Sequence, residues 1–230
     1  MSTRFKRFKN IWLPVAMLAL GAATSAQAAA VYNEGGSDVG ELITTAAPVS
    51  GAGTIDAIRG TLGGGVDAAD LFAIYLTAGT AFSATTTASG FTYNAFDTVL
   101  FLFDAAGKGL FANDDDGDFG GSQSTIANFI PSVSGLYYLA ITGAGYTPVS
   151  GGAGIFPSLL GTTGNVAANA GAGPLTGWNS VTSEFGDYEI VLTGAQAAVP
   201  EPGSLLLVGA ALGAAGLIRR RKAAPAAVNA

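Results

Sequence analysis

Hydrophobic and polar positions along the middle of the chain fall into short runs punctuated by glycine. Residues 98–103 (Thr-Val-Leu-Phe-Leu-Phe) are apolar on both faces, as a core strand of a sandwich must be, with Asp97 before them and the turn Asp104-Ala105-Ala106-Gly107 after. Residues 71–76 and 136–142 carry similar apolar and aromatic runs, 187–193 alternate apolar and polar, and 55–62, 81–87, 110–112 and 125–130 are shorter or weaker. The stretch 31–50 opens on the turn-rich segment 33–38 and is expected to be extended at Leu42, Ile43, Thr44 and Thr45. β-Branched and aromatic runs of this length, bounded by Gly, Pro and Asp, predict strands rather than helices. About seven or eight of them between turn signals predict an all-β, antiparallel sandwich.

Residues 143–177 break the pattern. Glycine, alanine and proline dominate without a period, and no Gly-Lys-Ser/Thr or strand-to-helix context makes a phosphate loop. A surface loop is expected, pinned by Phe156 and Trp178; a ligand-stacking role for Trp178 is the alternative. Residues 194–198 read as a short Ala/Gln linker.

Both ends are separate from this body. Arg4, Lys6, Arg7 and Lys9 precede an apolar run at 13–23 and the small residues Ala26-Gln27-Ala28, the three-part pattern of a signal peptide spanning 1–28 and removed by signal peptidase. At the other end, Val199-Pro200-Glu201-Pro202 is followed by an apolar stretch at 205–218 and by Arg219-Arg220-Arg221-Lys222, with a tail at 223–230. A helix over 204–218 would rise about 22 Å, short of the roughly 30 Å hydrocarbon core, so it is a marginal span. The basic cluster after it would stay cytoplasmic and leave the body, 29–198, outside.

Charge sharpens the partition. Eight of the ten basic residues lie in the two ends, leaving Arg59 and Lys108 in the body, whereas all sixteen acidic residues lie between Glu34 and Glu201. Such a body repels nucleic acid and suits cations. Cysteine and histidine are both absent. Stability therefore rests on burial or bound metal, and Ser-His-Asp catalysis, Cys-His catalysis and His-containing zinc sites are excluded.

In a chain with 11% charged residues, Asn113-Asp114-Asp115-Asp116-Gly117-Asp118 concentrates four carboxylates. Clustered Asp with carbonyls from Gly-rich turns supplies the six to eight oxygens that Ca²⁺ takes. An EF-hand is excluded: counting from Asp114, position 6 is Phe119 and position 12 is Thr125. A site here needs ligands from separate segments, and Asp97 with Glu34 and Asp38 are the expected contributors beside Asp114, Asp115, Asp116 and Asp118. A solvated acidic loop is the alternative. Asp67 and Asp70 are either a turn before the strand or ligands of a second site.

Two resemblances attach to these residues. Pro200-Glu201-Pro202, the Gly/Ala/Leu stretch and Arg219, Arg220 and Arg221 resemble the PEP-CTERM sorting signal of Gram-negative bacteria, placed here at 199–222. That resemblance implies an exosortase-type processing enzyme as partner, transient anchoring in the inner membrane, and delivery to the cell surface or extracellular matrix. The run Phe96 to Asp104, with Gly107, Leu110, Asn113-Asp114-Asp115, Ser124 and Gly135-Leu136-Tyr137-Tyr138-Leu139, resembles the bacterial pre-peptidase C-terminal (PPC) domain. Glu34, Asp38, Gly40, Asp67 and Asp70 fit the same pattern. This second resemblance implies a jelly-roll-like β-sandwich, non-catalytic, of a kind whose relatives bind calcium or extracellular polymers.

The expected protein is thus a non-enzymatic exported one, with a Ca²⁺-stabilised sandwich that meets exopolysaccharide or a cell-surface polymer. A Ca²⁺-dependent lectin-like module using Trp178 is one alternative. A hydrolase with paired carboxylates is another, disfavoured because Asp114, Asp116 and Asp118 share one loop, whereas acid and base must face each other about 5 to 9.5 Å apart.

Overall fold

Among the described residues regular structure is entirely β, as the short punctuated runs require, and none is helical. The computed structural model describes residues 30–35, 38–51, 53–63, 67–86, 96–117, 122–160, 162–180 and 184–200. In chain order the strands are β1 (Ala30–Asn33), β2 (Ala47–Pro48), β3 (Ser50–Gly51), β4 (Ile55–Leu62), β5 (Ala69–Leu76), β6 (Phe82–Thr86), β7 (Thr98–Phe103), β8 (Gly109–Asn113), β9 (Thr125–Phe129), β10 (Gly135–Gly143), β11 (Tyr146–Ser150), β12 (Ala153–Gly154), β13 (Val166–Ala167), β14 (Gly177–Ser180), β15 (Gly186–Thr193), β16 (Ala195–Ala197) and β17 (Val199–Pro200).

Two sheets dominate. One has five strands in the order β1-β4-β15-β6-β9; the other runs β13-β8-β7-β10-β5-β16, with β2 also on β5. Alternation along each strand turns one face of both toward a shared core. Ile58, Leu62, Phe82, Ile126, Ile190 and Leu192 meet Phe72, Ile74, Leu100, Leu102, Leu139 and Ile141 there. Burying each such side chain contributes about 1.5–3 kcal/mol. Pairing is antiparallel except for β1 with β4, β2 with β5 and β17 with β3, so the expectation of an all-antiparallel arrangement is corrected at these short strands.

All six residues of β7 are buried, and this requires a cover on each face. The outer cover is the stretch expected to be a surface loop. A third sheet, β12-β11-β14, and the loops around it bring Ile155, Phe156, Leu159 and Leu175 onto Leu71, Val99, Phe101, Phe103 and Ala140. Gly151 and Gly152 make the turn from β11 to β12 with φ of 57° and 86°, a left-handed region that glycine enters without strain.

Two further expectations change. Residues 42–45 form a turn rather than an extended run: Thr45 N–H donates to the Leu42 carbonyl at 2.9 Å, and Thr45 Oγ1 receives Leu42 N–H at 3.2 Å. Side-chain bonding of this kind competes with strand pairing. Residues 195–198 are no linker either. Ala195, Gln196 and Ala197 pair with Leu76, Tyr75 and Ile74, and Ala198 N–H donates to the Val49 carbonyl at 2.9 Å. Among the described residues no helix is long and apolar enough to cross a membrane. The segments 1–28 and 205–218 lie outside them.

Candidate metal centres

Two groups of carboxylates form at one end of the larger sheet, where β5 and β7 begin and β8 and β10 finish. Asp70 is the second residue of β5 and alternates with Phe72 and Ile74, so its carboxylate points between the two main sheets and is fully buried. Tyr188 of β15 reaches across and donates its hydroxyl to Asp70 Oδ2 at 2.5 Å. Asp70 Oδ1 is buried without a hydrogen-bond partner. Glu34, just past β1, is fixed by its N–H to the Arg59 carbonyl at 2.9 Å and by Thr61 N–H donating to Glu34 Oε2 at 2.8 Å. One carboxylate oxygen from each of Glu34, Asp38 and Asp70 lies within 4.8 Å of the others.

Asp67 and Glu41 border this group. Asp67 Oδ2 accepts Gly63 N–H at 2.6 Å while its Oδ1 is buried without a partner, and Glu41 Oε1 accepts Ala68 N–H at 3.4 Å. Arg59, the nearest basic residue in sequence, is engaged at 3.2 Å with Glu189. Burial first, and then the charges of Glu34, Asp67 and Asp38, push the Asp70 carboxyl up to about 8 against the opposing pull of the Tyr188 hydroxyl. Glu34, Asp38 and Glu41 are raised as well, burial leading in each case, with carboxylate neighbours adding to it. A group of oxygen donors that runs from exposed Asp38 to fully buried Asp70, with an orphaned lone pair on Asp70 Oδ1, fits a hard divalent cation, which would satisfy that oxygen and cancel the repulsion.

The second group follows from the β7–β8 hairpin. Its register, Leu100 opposite Asn113, sets Asp97 and the pair Asp114-Asp115 at the same end. Glu184 joins them from before β15: Asp97 N–H donates to its Oε2 at 2.6 Å. Asp97 Oδ1 and Asp114 Oδ1 are buried without partners. Burial, then Asp97 and Asp115, push Asp114 up to about 6, and Asp97 is raised by burial, then by Glu184 and Asp115. Asn113, fully buried, holds the turn with Nδ2 bonds to the Asp115 and Gly164 carbonyls at 2.9 and 2.8 Å and accepts Thr125 N–H at 2.5 Å.

The expected ligands therefore sort into two sets. Asp97, Asp114 and Asp115 come together, whereas Glu34 and Asp38 join Asp70 instead. The row Asp70, Ile141, Leu100, Asn113 spans three strand spacings, about 14 Å from Asp70 to Asn113, so the two sets stand apart along the sheet. Asp116 is exposed, and Asp118 lies outside the described residues. Sequence reasoning missed Glu184 and Glu41. Glu184 carries no sequence signal, since its approach depends on Gly143, where any Cβ would collide with the Glu184 backbone. Trp178 packs edge-on to Phe101 (5.6 Å, 69°), stacks with Tyr146 (6.3 Å, 28°), and donates Nε1–H to the Glu41 carbonyl at 2.8 Å.

Away from both sets, an open groove of about 480 Å³ lies between the 104–106 turn and the start of β10, with Ile130, Val133 and Leu136 exposed along it. Of the sorting residues, Pro200 lies in β17, paired with Gly51, while Glu201, Pro202, Arg219, Arg220 and Arg221 are outside the described residues.

No curated protein matches the chain in sequence. Among solved structures the chain is similar to the pre-peptidase C-terminal domain of collagenase from Bacillus anthracis, with 11% identity and a TM-score of 0.35 over 73% of this chain and 98% of that one. Residues 198–222 match the PEP-CTERM protein-sorting motif, which marks an exported protein anchored at the membrane before release and processed by an exosortase.

Proposed function

We propose that the chain is a non-enzymatic exported protein whose β-sheets are stabilised by Ca²⁺ and which, after sorting, meets exopolysaccharide or another polymer at the cell surface or in the extracellular matrix of a Gram-negative bacterium. Its layered sheets are read as a jelly-roll-like sandwich. The observation that carries the metal reading is Asp70: a carboxylate with no exposure, one oxygen unpartnered, and Glu34 and Asp38 oxygens within 4.8 Å. Leaving a buried charge uncompensated is costly, and a divalent cation is the compensation that an all-oxygen donor set selects. In this reading Asp97, Asp114 and Asp115 are a second, looser set, gathered at one end of the β7–β8 hairpin without their oxygens converging within 4.8 Å.

The test is a thermal melt of the purified protein in millimolar Ca²⁺ and in chelator. Binding to the folded state alone must raise the midpoint, so an unchanged midpoint rejects the metal. The polymer part is tested separately by retention on exopolysaccharide and by a glycan array with and without chelator. Binding abolished by chelation would mean that the cation takes part in recognition, as in a lectin. Binding indifferent to chelation would leave it a structural role.

A further inference from the structure

We propose that cation binding at Glu34, Asp38 and Asp70 also docks the outer layer of β11, β12 and β14, with residues 38–46 as the coupling segment; the inference rests on the metal reading above.

The segment has two faces. On one, Asp38 supplies an oxygen to the carboxylate group and Glu41 stands beside it, close enough to feel Asp38 and Asp67. On the other, Leu42, Ile43 and Ala46 pack against the second core, the one made by Phe101, Phe103, Ile155, Phe156 and Leu175. Glu41 belongs to both, because its carboxylate faces the acidic group while its carbonyl accepts the Trp178 indole N–H at 2.8 Å. Ile43 lies against Gly107, whose carbonyl in turn receives Leu175 N–H from the outer layer at 2.9 Å.

Residues 38–46 form no strand and are shaped by a local turn between Leu42 and Thr45. Their position is therefore set from outside. Without a cation, repulsion among Glu34, Asp38, Glu41 and Asp67 drives Asp38 and Glu41 outward, and they carry Leu42, Ile43 and the Glu41 carbonyl with them. With a cation the segment is drawn in, and the outer layer gains its edge contacts and the cap on Trp178. Cation binding then tightens the cover on the apolar outer face of β7 at the edge that Leu42, Ile43 and Ala46 supply. Coupling between sites is reciprocal, so loosening the outer layer must weaken cation binding in the same proportion.

The chain holds two tryptophans, Trp12 and Trp178. The full chain carrying Trp12→Phe and Asp114→Asn, purified in detergent, makes Trp178 the sole indole and leaves the Asp70 group as the one cation site read. Ca²⁺ is titrated against chelator while calorimetry reads binding, acrylamide quenching reads the exposure of Trp178, and elastase cleavage reads the opening of residues 150–175. The expected result is a fall in quenching and in cleavage with the same midpoint as the calorimetric isotherm. In Trp178→Phe, Ca²⁺ affinity should fall by about fivefold or more, though that residue is no ligand. Calorimetric binding with quenching and cleavage unchanged overturns the coupling and leaves the metal site standing. Absence of any binding removes the metal reading, and the coupling with it.

Discussion

The Tyr188 hydroxyl holds one oxygen of Asp70 at 2.5 Å and leaves the other, equally buried, without a partner. An arrangement that satisfies half a carboxylate is costly unless something else takes the free oxygen. Asp70→Asn keeps an acceptor for Tyr188 and removes the charge. In chelator at pH 8 to 9 the variant should be more stable than the parent by about 2 kcal/mol, a rise in midpoint of roughly 4–8 °C for a body of this size. In Ca²⁺ the order should reverse. Paired melts decide it, and a variant that stays sensitive to Ca²⁺ would remove Asp70 from the ligand set.

The same carboxylates predict how stability moves with pH. Asp70 titrates near 3.8 when unfolded and at about 8 when folded, so the folded state favours its protonated form. That stabilisation is whole below about pH 4 and is lost as pH rises through about 8. Glu34, Asp38 and Glu41 shift in the same direction. Cation binding runs the other way because its ligands must be deprotonated. The gap between Ca²⁺ and chelator midpoints should therefore widen steadily from pH 5 to pH 8, as scanning calorimetry would read directly. A gap independent of pH contradicts the assignment.

Asp97, Asp114 and Asp115 make a separate prediction. In the proposed reading Asp114, pushed up to about 6, and the unpartnered oxygens on it and Asp97 make a second, looser place for a cation, separate from Asp70. Calorimetry on the parent should count two ions, and on Asp114→Asn one. Gly143→Ala should act on the same set through backbone, since the added Cβ runs into Glu184, which anchors Asp97. Overpacking of this kind costs about 1–3 kcal/mol. Two ions bound by Asp114→Asn would count against this second site.

Much of this was legible in the sequence, for definite reasons. Residues 98–103 announce a strand buried on both faces, and Asp97 with Asp114-Asp115 flank one hairpin, so their meeting needs only short-range pairing. What covers the outer face of β7 was legible only at Phe156 and Trp178, which pin the stretch onto Phe101 as expected. Ile155, Leu159 and Leu175 are spread through glycine and alanine with no period, and turns at residues such as Gly151 and Gly152 aim them rather than strand alternation. Glu34 and Asp38 were assigned to the Asp114 set because both are acidic turns. The parallel pairing of β1 with β4 and the bond from Thr61 to Glu34 carry them to Asp70 instead. Such contacts depend on tertiary register, which a local pattern does not encode.

Strand β16 sets how much of the C-terminal end the folded body needs. Ala195 is fully buried, and Ala195, Gln196 and Ala197 occupy the edge of β5 that β2 covers only at Phe72 and Ala73. Stopping the chain after Gly194 would uncover Ile74, Tyr75 and Leu76 at that edge, where unpaired N–H and C=O groups invite pairing with other chains. Loss of these ladder bonds and of buried Ala195 should lower stability by about 2–4 kcal/mol and favour aggregation. Stopping after Pro200 keeps β16, the Ala198 bond to Val49 and the β17 pairing, and should melt as the full chain does. Processing of the sorting motif beyond Pro200 then leaves the body complete, whereas any cut before Ala195 does not. Melting and size-exclusion profiles of the two truncated chains separate these outcomes, and equal stability would mean that β16 is dispensable.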